Sequence, residues 1–183
     1  MVMIDLITGF LGSGKTTFLK KYAEYLMDQG LHIGILENDF GAINVDMLML
    51  HELRGDQCEL EMIAGGCDAE SHRRRFRTKL ISMRMCGYDR VLVEPSGIYD
   101  VDEFFDVLRE EPLDQWYEIG NVIAILDARL EKNLSQQADY LLASEAANAG
   151  KVILSHADAA TREQCEDLSL IHISEPTRQE AIS

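Results

Sequence analysis

The chain has 183 residues, enough for one domain with a sizeable core, or for one domain and a fragment of another. Its 46% hydrophobic and 27% charged residues, with only 3 Pro, are ordinary for a globular protein and exclude collagen-like and disordered classes. The longest apolar stretches are strand-sized, well short of the roughly 20 residues a bilayer requires. A net charge of −15, from 32 acidic and 17 basic residues, describes a surface that repels nucleic acid and anionic lipid.

The amino end, Met1-Val2-Met3-Ile4-Asp5, lacks the basic segment of a secretion signal. Cys58, Cys67, Cys86 and Cys165 form no disulfide framework, so a reducing, cytoplasmic setting is expected.

In chain order, Val2 to Thr8 is an apolar, branched run that stops at Gly9, the pattern of a buried strand. Thr16 to Asp28 places Phe18, Leu19, Tyr22, Tyr25 and Leu26 on a helical face closed by Gly30. Leu31 to Leu36 predicts a second strand, Asp39 to Asn44 a loop, and the region of Val45 to Glu52 a short helix. Glu59 to Ile63 reads as a short strand leading to Gly65-Gly66, and Ser71 to Met85 as a longer helix. Arg90 to Val93 is a strand ending at Glu94. Val101 to Leu108 is helical, with Asp100 as its N-cap. Val122 to Leu126, a helix over Leu130 to Ala147, and a last strand at Val152 to Leu154 complete the series.

Apolar strands alternating with amphipathic helices predict an α/β fold, a mostly parallel central sheet with helices on both faces. Ligands of such sheets sit at the carboxyl ends of the strands. The motifs that carry chemistry fall there, after Thr8, Leu36, Val93 and Leu154.

The stretch from Leu168 to Ser183 contributes no element of this fold. Its string Leu-Ser-Leu-Ile-His-Ile-Ser-Glu-Pro-Thr-Arg resembles translated sequencing-adapter read-through. The expected division is a nucleotide-binding domain over residues 1–167, truncated at its carboxyl end, and a non-native tail over 168–183. A natural disordered tail is the alternative.

Gly9-Phe10-Leu11-Gly12-Ser13-Gly14-Lys15-Thr16 fits the phosphate-loop pattern G-x-x-x-x-G-K-[ST] in full, between a predicted strand and a predicted helix. Gly9, Gly12 and Gly14 let the backbone curl so that successive N–H groups, that of Ser13 among them, face one anion. The following helix adds its positive end. Lys15 should reach the β- and γ-phosphates, and the Thr16 hydroxyl should ligate Mg²⁺. Thr17 assists at the α-phosphate. Glu94, at the end of an apolar strand, can hold Mg²⁺ through water or polarise an attacking water. Gly97 can bring its N–H close to the γ-phosphate because it carries no side chain.

Taken together, Gly9 to Thr17, Glu37-Asn38-Asp39-Phe40-Gly41, Gly65-Gly66-Cys67 and Glu94-Pro95-Ser96-Gly97 resemble, in order and spacing, the CobW-like metallochaperone GTPases, relatives of UreG and HypB. The resemblance covers about Met3 to Leu168. It implies a P-loop GTPase that uses GTP binding and hydrolysis to control the handling of zinc or cobalt, or metalloenzyme assembly. It also implies a metalloprotein client and pairing of two copies through the nucleotide face. In that family Glu37 to Gly41 is a nucleotide-sensing switch. Asp39 takes its acidic position and approaches Mg²⁺ or the attacking water, unless it only caps a turn.

Two departures stand out. Where the family carries Cys-x-Cys-Cys, this chain has Cys67-Asp68-Ala69-Glu70. Cys67 is then the one thiolate ligand left for a transition metal, and needs partners from Cys58, Glu70, His72 or a second subunit. Where GTPases read guanine with Asn-Lys-x-Asp, this chain has Ser155-His156-Ala157-Asp158. The Asp158 carboxylate can still accept both guanine N–H donors, which adenine does not offer.

Arg73-Arg74-Arg75-Phe76-Arg77 reads as a solvated helix face that offsets the acidic surface. His32 and His51 read as structural. Trp116, Tyr117, Glu110 and Glu111 read as a loop or partner surface. The leading expectation is a Mg²⁺-dependent GTPase switch with Lys15, Glu94 and Asp39 as its catalytic groups. A P-loop kinase of a small molecule and a non-hydrolysing nucleotide-binding module are the rivals. A product assay separates the kinase, since it yields a phosphorylated acceptor rather than free phosphate.

Overall fold

A computed structural model of the chain describes residues 1–10, 12–39, 45–64, 69–95, 101–129 and 146–161. Six strands form one sheet: β1 (Val2–Thr8), β2 (Ile33–Asp39), β3 (Cys58–Ala64), β4 (Arg90–Glu94), β5 (Tyr117–Asp127) and β6 (Lys151–Ser155). They lie in the order β3-β2-β4-β1-β5-β6, and every pairing is parallel. The helices are α1 (Lys15–Asp28), α2 (Val45–His51), α3 (Ala69–Arg84), α4 (Val101–Leu108) and the single turn α5 (Leu113–Trp116).

The central strands β1 and β4 are mostly apolar because both faces of the sheet are covered there. On β4, Val91 and Val93 face a core built with Phe76, Leu80 and Met83 of α3 and Phe104 and Val107 of α4, while Leu92 faces Leu19, Ala23 and Leu26 of α1. Helix α1 presents Thr16, Leu19, Ala23 and Leu26 inward, the three- and four-residue spacing of one helix face. The doubly covered parallel sheet is as expected.

One polar cluster crosses the α1 face of the sheet. Asp5 of β1 is fully buried; its Oδ2 accepts from Tyr22 Oη at 2.8 Å and Arg90 Nη1 at 2.7 Å, and its Oδ1 from the Asn121 N–H at 2.7 Å. This cluster explains an irregularity in β5, whose register with β1 shifts between Ile4 and Leu6. A β-carbon on Gly120 would stand 2.2 Å from Asp5 Oδ1, so the strand passes the carboxylate only as glycine.

Several expectations need correction. Strand β5 begins at Tyr117, five residues before the predicted start. Tyr117 is buried rather than at a surface, and its hydroxyl donates to the Leu80 carbonyl at 2.8 Å. Burial pushes its phenol well above the usual range. Asp39 ends β2 instead of opening a loop. The arginines of α3 are not simply solvated: Arg73 and Arg77, one turn apart, both hold Glu110, at 2.6 and 3.0 Å. The predicted helix over 130–147 and the division at residue 168 fall largely outside the described residues, although residues 146–148 are helical.

Candidate functional site

Strand β1 ends at Thr8, and the chain turns at Gly9 with φ 141°. A β-carbon there would meet the Ile125 carbonyl oxygen at 2.2 Å, so only glycine lets the loop leave the sheet this close to β5. Gly12 and Gly14 follow at φ 79° and 91°, left-handed positions that curl the backbone toward the start of α1. Gly14 is the N-cap, and its carbonyl takes the Phe18 N–H at 3.0 Å.

Inside this curl, Ser13 is buried, and its Oγ has no hydrogen-bond partner among the described residues. The Lys15 ammonium folds back over the loop and donates to the Phe10 carbonyl at 3.0 Å. Thr16 Oγ1 donates to Glu94 Oε1 at 2.8 Å, joining the first turn of α1 to the carboxyl end of β4. A cavity of about 430 Å³ opens over these groups, lined by Gly12, Gly14, Lys15, Thr16, Thr17, Met49, Glu94 and His156.

The structure thus brings together Gly9, Gly12, Ser13, Gly14, Lys15, Thr16, Thr17 and Glu94. Asp158 stands exposed in the bend after β6 and does not line the cavity. Gly97, Cys67 and the Asp39 carboxylate fall outside what is described. Of the partners proposed for Cys67, Cys58 is buried. It sits at the amino end of β3, six residues and about 20 Å from the carboxyl end where the site lies. Burial also raises its thiol to about 11, against ligation as a thiolate. His72 is buried and lies 3.1 Å from Glu103 of α4. Among the described residues no group of three or more His, Cys, Asp or Glu side chains is arranged to hold a metal ion.

Two arrangements were not read from the sequence, although it singled out Glu37 and His156 in other contexts. Glu37 is buried at the carboxyl end of β2, directly in register with Glu94. Its signal was available, since Ile33 to Leu36 followed by Glu37 repeats the pattern of Val91 to Val93 followed by Glu94. The second is a cluster at the tips of β5 and β6. Asp127 takes Arg129 Nε at 3.0 Å and Nη2 at 2.7 Å, and its Oδ2 lies 3.3 Å from His156 Nδ1. The arginine holds the Asp127 carboxyl down at about 2. His156 has φ 53°, a left-handed conformation uncommon outside glycine.

A parallel sheet whose first strand runs through a glycine curl into a helix carrying Lys15 and Thr16, with an acid on the strand next to it, defines a P-loop nucleotide-binding protein. The sequence matches the CobW/HypB/UreG nucleotide-binding domain over residues 3–179, and the chain belongs to that family. It is 28% identical over 164 residues to the zinc chaperone YeiR of Escherichia coli K12, covering 89% of this chain and 49% of that one. With the zinc chaperone YjiA of the same organism it shares 29% over 172 residues, 87% of this chain and 50% of the other. The crystal structure of the Zn(II)-bound YjiA GTPase from E. coli shares the fold with a TM-score of 0.59 at 21% identity, covering 92% of this chain and 54% of that one. The chain therefore spans about half the length of the curated relatives it matches.

Proposed function

We propose that the chain is a GTP-binding and GTP-hydrolysing switch whose cycle governs the handling of a transition metal, zinc first, in a reducing cytoplasm. The observation that carries this reading is the Thr16–Glu94 hydrogen bond, which ties the phosphate loop to the acidic strand end beneath Lys15.

The residues fit a triphosphate. Gly9, Gly12 and Gly14 take positive φ values that curl the loop over the start of α1, and the buried Ser13 hydroxyl within that loop has no partner among the described residues. They also fit Mg²⁺, a hard cation that takes oxygen ligands, since the Thr16 hydroxyl and the Glu94 carboxylate are already adjacent. Bound there, Mg²⁺ would neutralise phosphate charge and orient the terminal phosphoryl group. The chain's own groups do the rest. Loop N–H groups and the α1 dipole bind the phosphates. Lys15 leaves the Phe10 carbonyl to meet the β- and γ-oxygens. Glu94 orients the attacking water and would help hold Mg²⁺, with Gly97 and Asp39 completing the γ-phosphate shell. Asp158 accepts the guanine N–H pair. The metal cargo, client protein and homodimer belong to the same reading, supported by the zinc chaperones the chain resembles. Among the described residues no helix is long and apolar enough to cross a membrane.

Calorimetric titration with GTP and ATP, each with and without Mg²⁺ and Zn²⁺, together with phosphate release, tests the proposal. Magnesium-dependent binding that favours GTP, with free phosphate as product, is expected. Equal or reversed nucleotide preference removes Asp158 as the base reader. A phosphorylated acceptor in place of phosphate points to a kinase instead.

A further inference from the structure

Strand β3 is an edge of the sheet, paired with β2 alone among the described residues. The Ile33 N–H donates to the Gln57 carbonyl at 2.9 Å, so Gln57 and every second residue after it turn their backbone groups toward β2. Cys58 turns the other way: it accepts from the Gly55 N–H at 3.0 Å and donates to the Gly55 carbonyl at 3.3 Å. Met62 is in the same phase as Cys58. Its N–H and C=O point out of the sheet edge, and neither has a hydrogen-bond partner among the described residues. A cavity of about 440 Å³ opens at this position, bordered by Met62 and Ile63 of β3 and by Arg74, Arg75, Thr78 and Lys79 of α3. Successive strand residues face opposite sides of the sheet, so a cavity bordered by both Met62 and Ile63 reaches round the strand's edge. Charged side chains often guard such an edge. Here Glu59 and Glu61 are drawn over the α3 face instead, where Tyr88 donates to Glu59 and Lys79 to Glu61. The far wall is basic on a chain of net charge −15. Arg73 and Arg77 of α3 are committed to Glu110, but the Arg74–Glu70 pair, at 3.6 Å, is exposed and screened, which leaves Arg74 able to meet another carboxylate.

We propose that this groove docks an acidic, extended segment of a partner polypeptide, which lies beside β3 as an added strand, exchanges both backbone hydrogen bonds with Met62, and sets its carboxylates against Arg74, Arg75 and Lys79. The outward backbone pair selects an extended occupant, since a helix satisfies its own N–H and C=O groups. The cations select carboxylates. Alternate side chains of an added strand fall on the α3 side, so the acids stand at every second position. The groove shares no lining residue with the phosphate-loop cavity, and the inference does not rest on the GTP-binding reading.

The experiment uses the full chain and three labelled peptides of about eight residues, the length of a strand. One alternates glutamate with valine, the second has lysine in place of glutamate, and the third is the glutamate peptide N-methylated throughout. Fluorescence anisotropy reads affinity, and hydrogen exchange at the Met62 amide reads the site. The glutamate peptide should bind at least about tenfold more tightly than the lysine peptide and should slow exchange at Met62. Arg74→Glu should weaken it about fivefold, the loss of one exposed ion pair. Met62→Pro deletes the outward N–H and spares the bonds to β2, so it should abolish binding. N-methylation of the peptide should do the same, and it carries the test if the proline variant does not fold. Affinity that survives N-methylation means that charge alone holds the peptide, and overturns strand addition. Equal affinity for the glutamate and lysine peptides, no binding of either, or binding without protection of Met62 overturns the docking site.

Discussion

Thr16 and Glu94 lie 78 residues apart in sequence, yet their side chains share a hydrogen bond of 2.8 Å on the floor of the phosphate cavity. The bond holds the helix that carries the phosphate loop against the strand that supplies the acid. Glutamine at position 94 can still accept that bond but cannot bear charge. Glu94→Gln should therefore keep GTP affinity within about threefold while lowering turnover at least about tenfold, since a positioned general base contributes roughly 10²–10⁴. Phosphate release under single-turnover conditions reads the second effect and calorimetry the first. Unchanged turnover would take Glu94 out of the mechanism.

The glycines of the loop are not equivalent. A β-carbon on Gly9 would collide with the backbone oxygen of Ile125 at 2.2 Å, and a backbone atom in a sheet does not give way. Gly12 has nothing within 4 Å and bears only the cost of its left-handed φ of 79°. Gly9→Ala should thus lose nucleotide binding and at least about 2 kcal/mol of stability, whereas Gly12→Ala should lose about 1 kcal/mol. Urea unfolding of the two variants side by side ranks them. A Gly12 penalty equal to that of Gly9 would contradict the geometry.

On the same face of the sheet, beneath α1, the Asp5 carboxylate takes three donors, from Tyr22, Arg90 and Asn121. Removing it leaves the Arg90 guanidinium, only 18% exposed, beside a hole. Asp5→Ala should cost about 3–5 kcal/mol. The double variant Asp5→Ala, Arg90→Met should cost less than the single one, because the stranded charge goes with its partner. Equal losses in the single and double variants would show that the charge is not what matters.

What the sequence disclosed follows from how local each signal is. Strands β1 and β4, helix α4 and the phosphate loop were legible because apolar periodicity and left-handed glycines are written in consecutive residues. The first half of β5 was not. Tyr117 to Asn121 reads as polar and glycine-rich only because the strand bends around Asp5, which lies more than a hundred residues earlier. Glu37 was seen as part of a switch motif. Its burial beside Glu94 depends on β2 and β4 being neighbours, an order no single stretch of sequence states. Cys58 drew notice as a thiol near Cys67 in sequence, but a strand of seven residues carries it to the far end of the sheet. The Asp127–His156 contact needs β5 and β6 to be paired before either residue has meaning.

That last contact also makes a prediction about acid. Arg129, and behind it His156, hold the Asp127 carboxyl at about 2 in the folded chain, against about 3.9 when unfolded. A depressed folded value means that the pairing adds stability above about pH 4, where the unfolded carboxyl is ionised too, and loses it as pH falls toward 2. Arg129 is half exposed, so the contribution is that of a screened surface pair, about 0.5–1 kcal/mol. Asp127→Asn should therefore be less stable than the native chain by that amount at pH 6. The gap should narrow steadily in urea titrations at pH 4.5, 4 and 3.5. A gap that widens with acid would mean that the carboxyl is protonated in the folded chain. It would then donate to a neighbour instead of accepting from Arg129.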